Sequence, residues 1–140
     1  MGAWSHEPFG NDTASDWAYE FEEGDGYIVI EDAFNQIIEM AKEEFIDADI
    51  GCTAHAAADV LVKSFADAIG EEDYYPEPIE KWLEQNKNRT NYALIPKAIR
   101  ALDLLTSENS ELDELWRDSD DYEQWILNID ELKETLSSKV

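Results

Sequence analysis

A chain of 140 residues with 34 Asp and Glu against 10 Lys and Arg has a formal charge of −24, which repels nucleic-acid phosphates and anionic headgroups and disfavours direct binding to either. Its 44% hydrophobic content, with five Trp, six Tyr and five Phe, excludes a disordered acidic tail and supplies the core of one helical domain spanning residues 1–140. No apolar run approaches the roughly 20 residues of a membrane span, and the single Cys52 excludes an internal disulfide.

The first residues, Met1 to Phe9, lack the basic and apolar regions of a secretory signal, and His6 stands where a myristoylation motif after Gly2 wants Ser or Thr. A reducing cytoplasm is the expected compartment. From Phe9 to Trp17 a loop feeds a helix, with Asn11 or Asp12 capping the free N–H groups of its first turn and Phe9 and Trp17 reaching the core.

Tyr27 to Ile46 is an amphipathic helix: Ile30, Phe34, Ile37, Ile38, Ala41 and Phe45 recur at helical spacing while Glu31, Glu39, Lys42 and Glu43 face away. The strand-like run Tyr27-Ile28-Val29-Ile30 has no partner with which to build a sheet. An Ala-rich helix follows from about Asp49 to Ile69, its stripe made of Ile50, Ala57, Leu61, Phe65 and Ala68 and its end marked by Gly70. Pro78 suits the first turn of a short helix from Ile79 to Asn86, with Ile79, Trp82 and Leu83 on one face.

Between Asn91 and Thr106 the residues Ile95, Ala98, Ile99, Leu102 and Leu105 are helically spaced, and Pro96 predicts a kink or a regular start only near Ile95. Ser110 to Arg117, capped by Ser110, and Asp121 to Leu136 complete the chain. The periodicity is helical in every long segment, so the expected fold is all-α, a compact bundle of about six or seven helices.

The opening Met1-Gly2-Ala3-Trp4, then Phe9-Gly10-Asn11-Asp12 and Ala14-Ser15-Asp16-Trp17, resembles a widespread family of uncharacterised bacterial proteins that begin Met-Gly-x-Trp, Phe-x-Asn-Asp and Ala-x-Asp-Trp. The Ala-rich stretch Ala54 to Val62, the segment Pro78-Ile79-Glu80-Lys81-Trp82, and Ser110-Glu111-Leu112-Asp113-Glu114-Leu115-Trp116 followed by Trp125 look like its later landmarks in the same order. The chain departs from the pattern at Ser5, where members usually carry Gly, and at Glu7. The resemblance implies a shared fold, a bacterial-type cytoplasmic protein and a role as partner or antidote of a toxin; it brings no catalytic residue, cofactor or substrate.

Little in the sequence points to catalysis. Cys52 and His55, three apart on one helix face, could share a metal, but His6 is the one other His or Cys, and a zinc site wants at least three protein ligands. Packing at the edge of the core accounts for both. No nucleophile elbow or phosphate-cradling glycine loop is present, and carboxylate pairs are too abundant for Glu22-Glu23, Glu71-Glu72 or Asp120-Asp121 to stand out as acid and base. Asp118 to Asp121 begins like a calcium loop, but the sixth position is not Gly and the twelfth is Ile129. No metal site and no cofactor are expected.

Charge placement is more informative. Residues 1 to 26 contain no Lys or Arg, and residues 107 to 123 contain Arg117 alone, whereas Lys81, Lys87, Arg89, Lys97 and Arg100 fall within twenty positions that include one acid, Glu84. The basic segment is either an internal counter-charge or an anion site. The acids Glu108, Glu111, Glu114, Asp118, Asp120, Asp121 and Glu123, with Trp116 and Tyr122 as aromatic anchors, form the expected binding face. Its expected function is to capture a basic protein partner, in the manner of an immunity protein or a nucleic-acid mimic. The alternatives are a metal-dependent hydrolase using Asp or Glu ligands, around Asp12 and Asp16 or Asp118 to Asp121, and an acidic protein whose charge serves only solubility or salt adaptation.

Overall fold

The computed structural model describes residues 8–65, 75–86 and 91–139. They form seven α-helices, α1 (Asp12–Trp17), α2 (Gly26–Ala41), α3 (Ala48–Ser64), α4 (Glu77–Gln85), α5 (Ile95–Leu105), α6 (Glu111–Arg117) and α7 (Tyr122–Ser138), with 3-10 turns at Ala18–Glu22 and Tyr92–Leu94. The fold is all-α: among the described residues the only β-type pairing is one isolated bridge between Ile46 and Ser110. No helix among them is long and apolar enough to cross a membrane.

Local chemistry sets most boundaries. The side chain of Asn11 accepts from Ala14 N at 2.8 Å and opens α1. Asp25 accepts from Tyr27 N at 2.9 Å, which turns the strand-like run Tyr27 to Ile30 into the first turn of α2. Asp47 and Ser110 cap α3 and α6 through Asp49 N at 2.8 Å and Asp113 N at 3.2 Å. Pro96 sits in the first turn of α5, and the 3-10 turn before it produces the late start at Ile95.

Two expectations are corrected. Helix α2 ends at Ala41 rather than Ile46 because Glu44 adopts a left-handed backbone, with φ at 62°, and reverses the chain. Phe45 therefore leaves the apolar stripe and is 50% exposed, while Ile46 is fully buried. The backbone of Ile46 is taken by a distant segment: its N–H donates to Asn109 O at 2.8 Å and its carbonyl accepts from Glu111 N at 2.9 Å.

Helix α3 also carries more than one stripe. It touches α1, α2, α4, α5, α6 and α7, and Gly51, Cys52, Ala54, His55, Ala56, Ala57, Ala58, Val60, Leu61 and Ser64 are all buried. A helix covered on most sides needs small side chains so that its neighbours can approach. Ile50 and Phe65, expected on the core stripe, are half-buried at its margins, and the expected extension through Ala68 to Ile69 lies outside the described residues.

At one end of the bundle, aromatic rings link successive elements. Phe9 lies 6.4 Å from Trp17 and 5.5 Å from Tyr75, Trp17 meets Phe21 edge-on at 5.2 Å, and Phe21 and Tyr27 both meet Trp82 edge-on, at 5.4 and 4.9 Å. This chain of rings holds α1 and α4 against the start of α2. The family-like Phe9 and Trp17 are thereby accounted for as core; Trp4 lies outside the described residues.

Candidate functional site

Helix α6, the turn before it, its connector to α7 and the first turn of α7 carry the acids singled out from charge placement. Glu108, Glu114, Asp118, Asp120, Asp121 and Glu123 are all exposed. Glu111 is half-buried and turned inward, where its Oε1 accepts from Ala48 N at 2.9 Å and helps cap α3 across 63 residues of sequence. That carboxylate satisfies a helix N-terminus within the fold. The connector is fixed by Ser119, whose hydroxyl donates to Trp116 O at 2.8 Å and accepts from Asp121 N at 3.2 Å.

The expected aromatic anchors behave differently. Trp116 is buried, stacked on Trp125 at 6.3 Å with 17° between the planes, so it belongs to the core and offers nothing to a partner. Burial of so large an indole against a facing ring is favourable in area and in ring geometry. Tyr122 is half-buried and its hydroxyl donates to Asp113 Oδ1 at 2.8 Å. The exposed apolar side chain of α6 is Leu115.

Asp113, which sequence reasoning passed over, organises this face. It is buried, and its Oδ2 lies 2.8 Å from Arg117 Nε. The guanidinium rests 5.9 Å above the Tyr122 ring. The signal was available: Asp113 and Arg117 are four apart on one helix, the spacing at which opposite charges meet. Glu108, Ser110, Asp113, Glu114 and Arg117 line a cleft of about 320 Å³. The one cation between Ser107 and Glu123 is thus engaged by a buried carboxylate, and among the described residues no ion pair joins the exposed acids around it.

For the basic segment, two ion pairs occur among the described residues. Lys97 meets Glu31 at 3.0 Å and ties α5 to α2, and Lys81 meets Glu77 at 3.0 Å within α4. The hydrogen bond and charge of Glu77, with a contribution from Glu22, hold Lys81 above its ordinary pKa. Neither pair reaches residues 107 to 123. Lys87 and Arg89 lie outside the described residues.

His55 Nε2 is 2.6 Å from Asn128 Oδ1 on α7, and its ring meets Trp125 edge-on at 6.3 Å. Among the described residues no group of three or more His, Cys, Asp or Glu is arranged to hold a metal ion; His6 lies outside them.

Burial, followed by the charges of Asp49 and Asp47, pushes the Cys52 thiol up to about 12. At pH 8 a disulfide reagent is expected to react at least about a hundredfold more slowly with the folded protein than with the unfolded chain. The unfolded thiol ionises near 9 while the folded one stays protonated to about 12, so its contribution to stability is complete below pH 9 and is lost as pH rises through that window. Labelling rates and melts from pH 8 to 11 check both statements; rapid labelling of the folded protein at pH 8 contradicts the first.

Residues 2–127 match the model of a protein family described as a domain of unknown function (DUF4259). No curated protein and no solved structure matches the chain.

Proposed function

The chain belongs to this family of domains of unknown function, and from that premise we propose that it is a protein-binding module whose acidic α6 face captures a basic protein. One observation carries the reading: Arg117, the sole cation of residues 107 to 123, is held by the buried Asp113 at 2.8 Å, and Glu108, Glu114, Asp118, Asp120, Asp121 and Glu123 are exposed with no ion pair among the described residues. Exposed carboxylates of one sign accelerate encounter with a cationic surface and favour it over neutral or anionic ones. An antidote to a basic toxin or nuclease, or a protein imitating nucleic acid, needs such a face.

Leu115, exposed in the middle of α6, supplies the apolar contact that charge alone lacks. The connector held by Ser119 keeps Asp118, Asp120 and Asp121 from needing to be ordered on binding, which limits the entropy lost. Glu111 is assigned to the fold rather than to the partner, because its carboxylate already caps α3.

The test is affinity capture from the source cell at about 0.05 M and about 0.5 M salt, where screening of exposed charges differs strongly. The wild type is compared with a variant carrying Gln or Asn at Glu108, Glu114, Asp118, Asp120, Asp121 and Glu123. A basic protein retained at low salt, released at high salt and lost with the variant is the expected outcome. Recovery of nothing at either salt, or of the same proteins by the variant, overturns the proposal and leaves the charge as a solvating feature.

A further inference from the structure

Two adjoining cavities, of about 620 and 310 Å³, share Asp32 and Gln36 and so form one open groove along α2, bordered by α1 and α3. From Val29 to Met40 it follows roughly 17 Å of helix, about three turns. Its apolar lining comes from Trp17, Val29, Ala33, Met40 and Ile50. Asp16, Glu20, Asp32, Glu39 and Glu43, all exposed, stand along it. Neither cavity is lined by Lys or Arg among the described residues; Lys42 beside it pairs with Glu39 at 3.1 Å, both side chains being largely in water, a contact readily exchanged.

We propose that this groove docks a cationic amphipathic helix of a protein partner, its apolar side chains against Met40 and Ile50 and its Lys or Arg residues on the flanking carboxylates. Groove length and chemistry agree with that occupant. Three turns of helix place apolar residues at i, i+3 or i+4, and i+7 along one such trough. The floor is apolar at the Met40 and Ile50 end and mostly polar toward Thr13 and Thr53, and the five exposed carboxylates disfavour an anionic ligand and favour a cationic one over a neutral one. A second copy of this chain brings the same charge of −24 and is repelled. The site shares no residue with the α6 face and stands or falls independently of it.

Met40 makes the test direct, because the chain has two methionines, Met1 and Met40, and a methyl-labelled sample gives two signals. Two synthetic helical peptides with equal numbers of Lys serve as probes, one with Leu on the opposite face and one with Ser there. At about 0.15 M salt the Lys/Leu peptide is expected to bind at least about tenfold more tightly than the Lys/Ser peptide, and to shift the Met40 signal, identified through Met40→Leu. Asp32→Asn with Glu39→Gln and Glu43→Gln is expected to weaken it about tenfold, while Asp118→Asn with Asp120→Asn and Asp121→Asn, which removes the same charge from the α6 face, leaves affinity within about twofold. Equal affinity for the two peptides, an unmoved Met40 signal in the wild type, or equal losses in the two triple variants overturns the proposal. None of these outcomes bears on capture by the α6 face, which is read with its own variant.

Discussion

Replacing Trp125 with alanine is expected to destabilise the fold by about 3–5 kcal/mol, the range for deleting a buried aromatic ring from a core that collapses only in part. Trp125 is 1% exposed and is packed by Trp116 at 6.3 Å, Tyr122 at 6.0 Å and the edge of His55 at 6.3 Å. Two other helices lean on this one ring, α6 through Trp116 and α3 through His55, while Tyr122 comes from α7 itself. The loss extends to the acidic face, because Tyr122 holds its hydroxyl on Asp113 from a position set against Trp125. Trp125→Phe, which keeps a ring in place, is expected to cost less than half as much. Urea unfolding monitored by circular dichroism measures both; a loss under about 1 kcal/mol for the alanine variant contradicts the packing described.

Gly26→Ala is expected to lower stability by about 1–3 kcal/mol, against the direction of helix propensity, which favours Ala over Gly by about 1 kcal/mol within a helix. The reason is steric. Gly26 is the first residue of α2 and is buried, and a Cβ there would fall within the indole of Trp82. That ring cannot retreat freely, because Phe21 and Tyr27 meet it edge-on at 5.4 and 4.9 Å. The glycine allows α4 to sit directly on the N-terminus of α2. A double-mutant cycle gives the decisive sign: in a Trp82→Ala background the obstacle is gone, so Gly26→Ala is expected to become neutral or stabilising. Equal losses in both backgrounds would trace the effect to the backbone instead.

Both results bear on function through geometry. Trp125 supports the arrangement that neutralises Arg117, and α2, whose start Gly26 and Trp82 define, is the wall of the groove that carries Asp32 and Glu39, with Glu43 in the turn just after it. Variants in the core are therefore expected to weaken the proposed binding only as far as they unfold the protein, whereas the exposed acids can be changed with the fold intact.

The sequence by itself determined what depends on near neighbours in the chain. Helical spacing of apolar residues marked every helix after the first, Ser110 and one of Asn11 or Asp12 were legible as caps because a short polar side chain reaches N–H groups two or three residues on, and Pro96 pointed to a kink or a late start of α5 because its ring removes a donor. The run of landmarks from Phe9 to Trp125 pointed to an uncharacterised family, and residues 2–127 match one. The uneven charge was likewise countable before any fold was known.

Only the tertiary structure decided what depends on residues far apart. Periodicity continued α2 to Ile46, but the backbone of Ile46 pairs with residues 109 and 111, more than sixty positions away, and a left-handed Glu44 breaks the helix to allow it. Glu111 and Glu114 look alike in sequence, yet one caps α3 and the other faces water. Trp116 could have been an anchor or core until Trp125 was seen stacked against it. A period tells which side of a helix is apolar; it does not tell which distant group will reach that side first, and that competition separates a carboxylate or a ring built into the fold from one left for a partner.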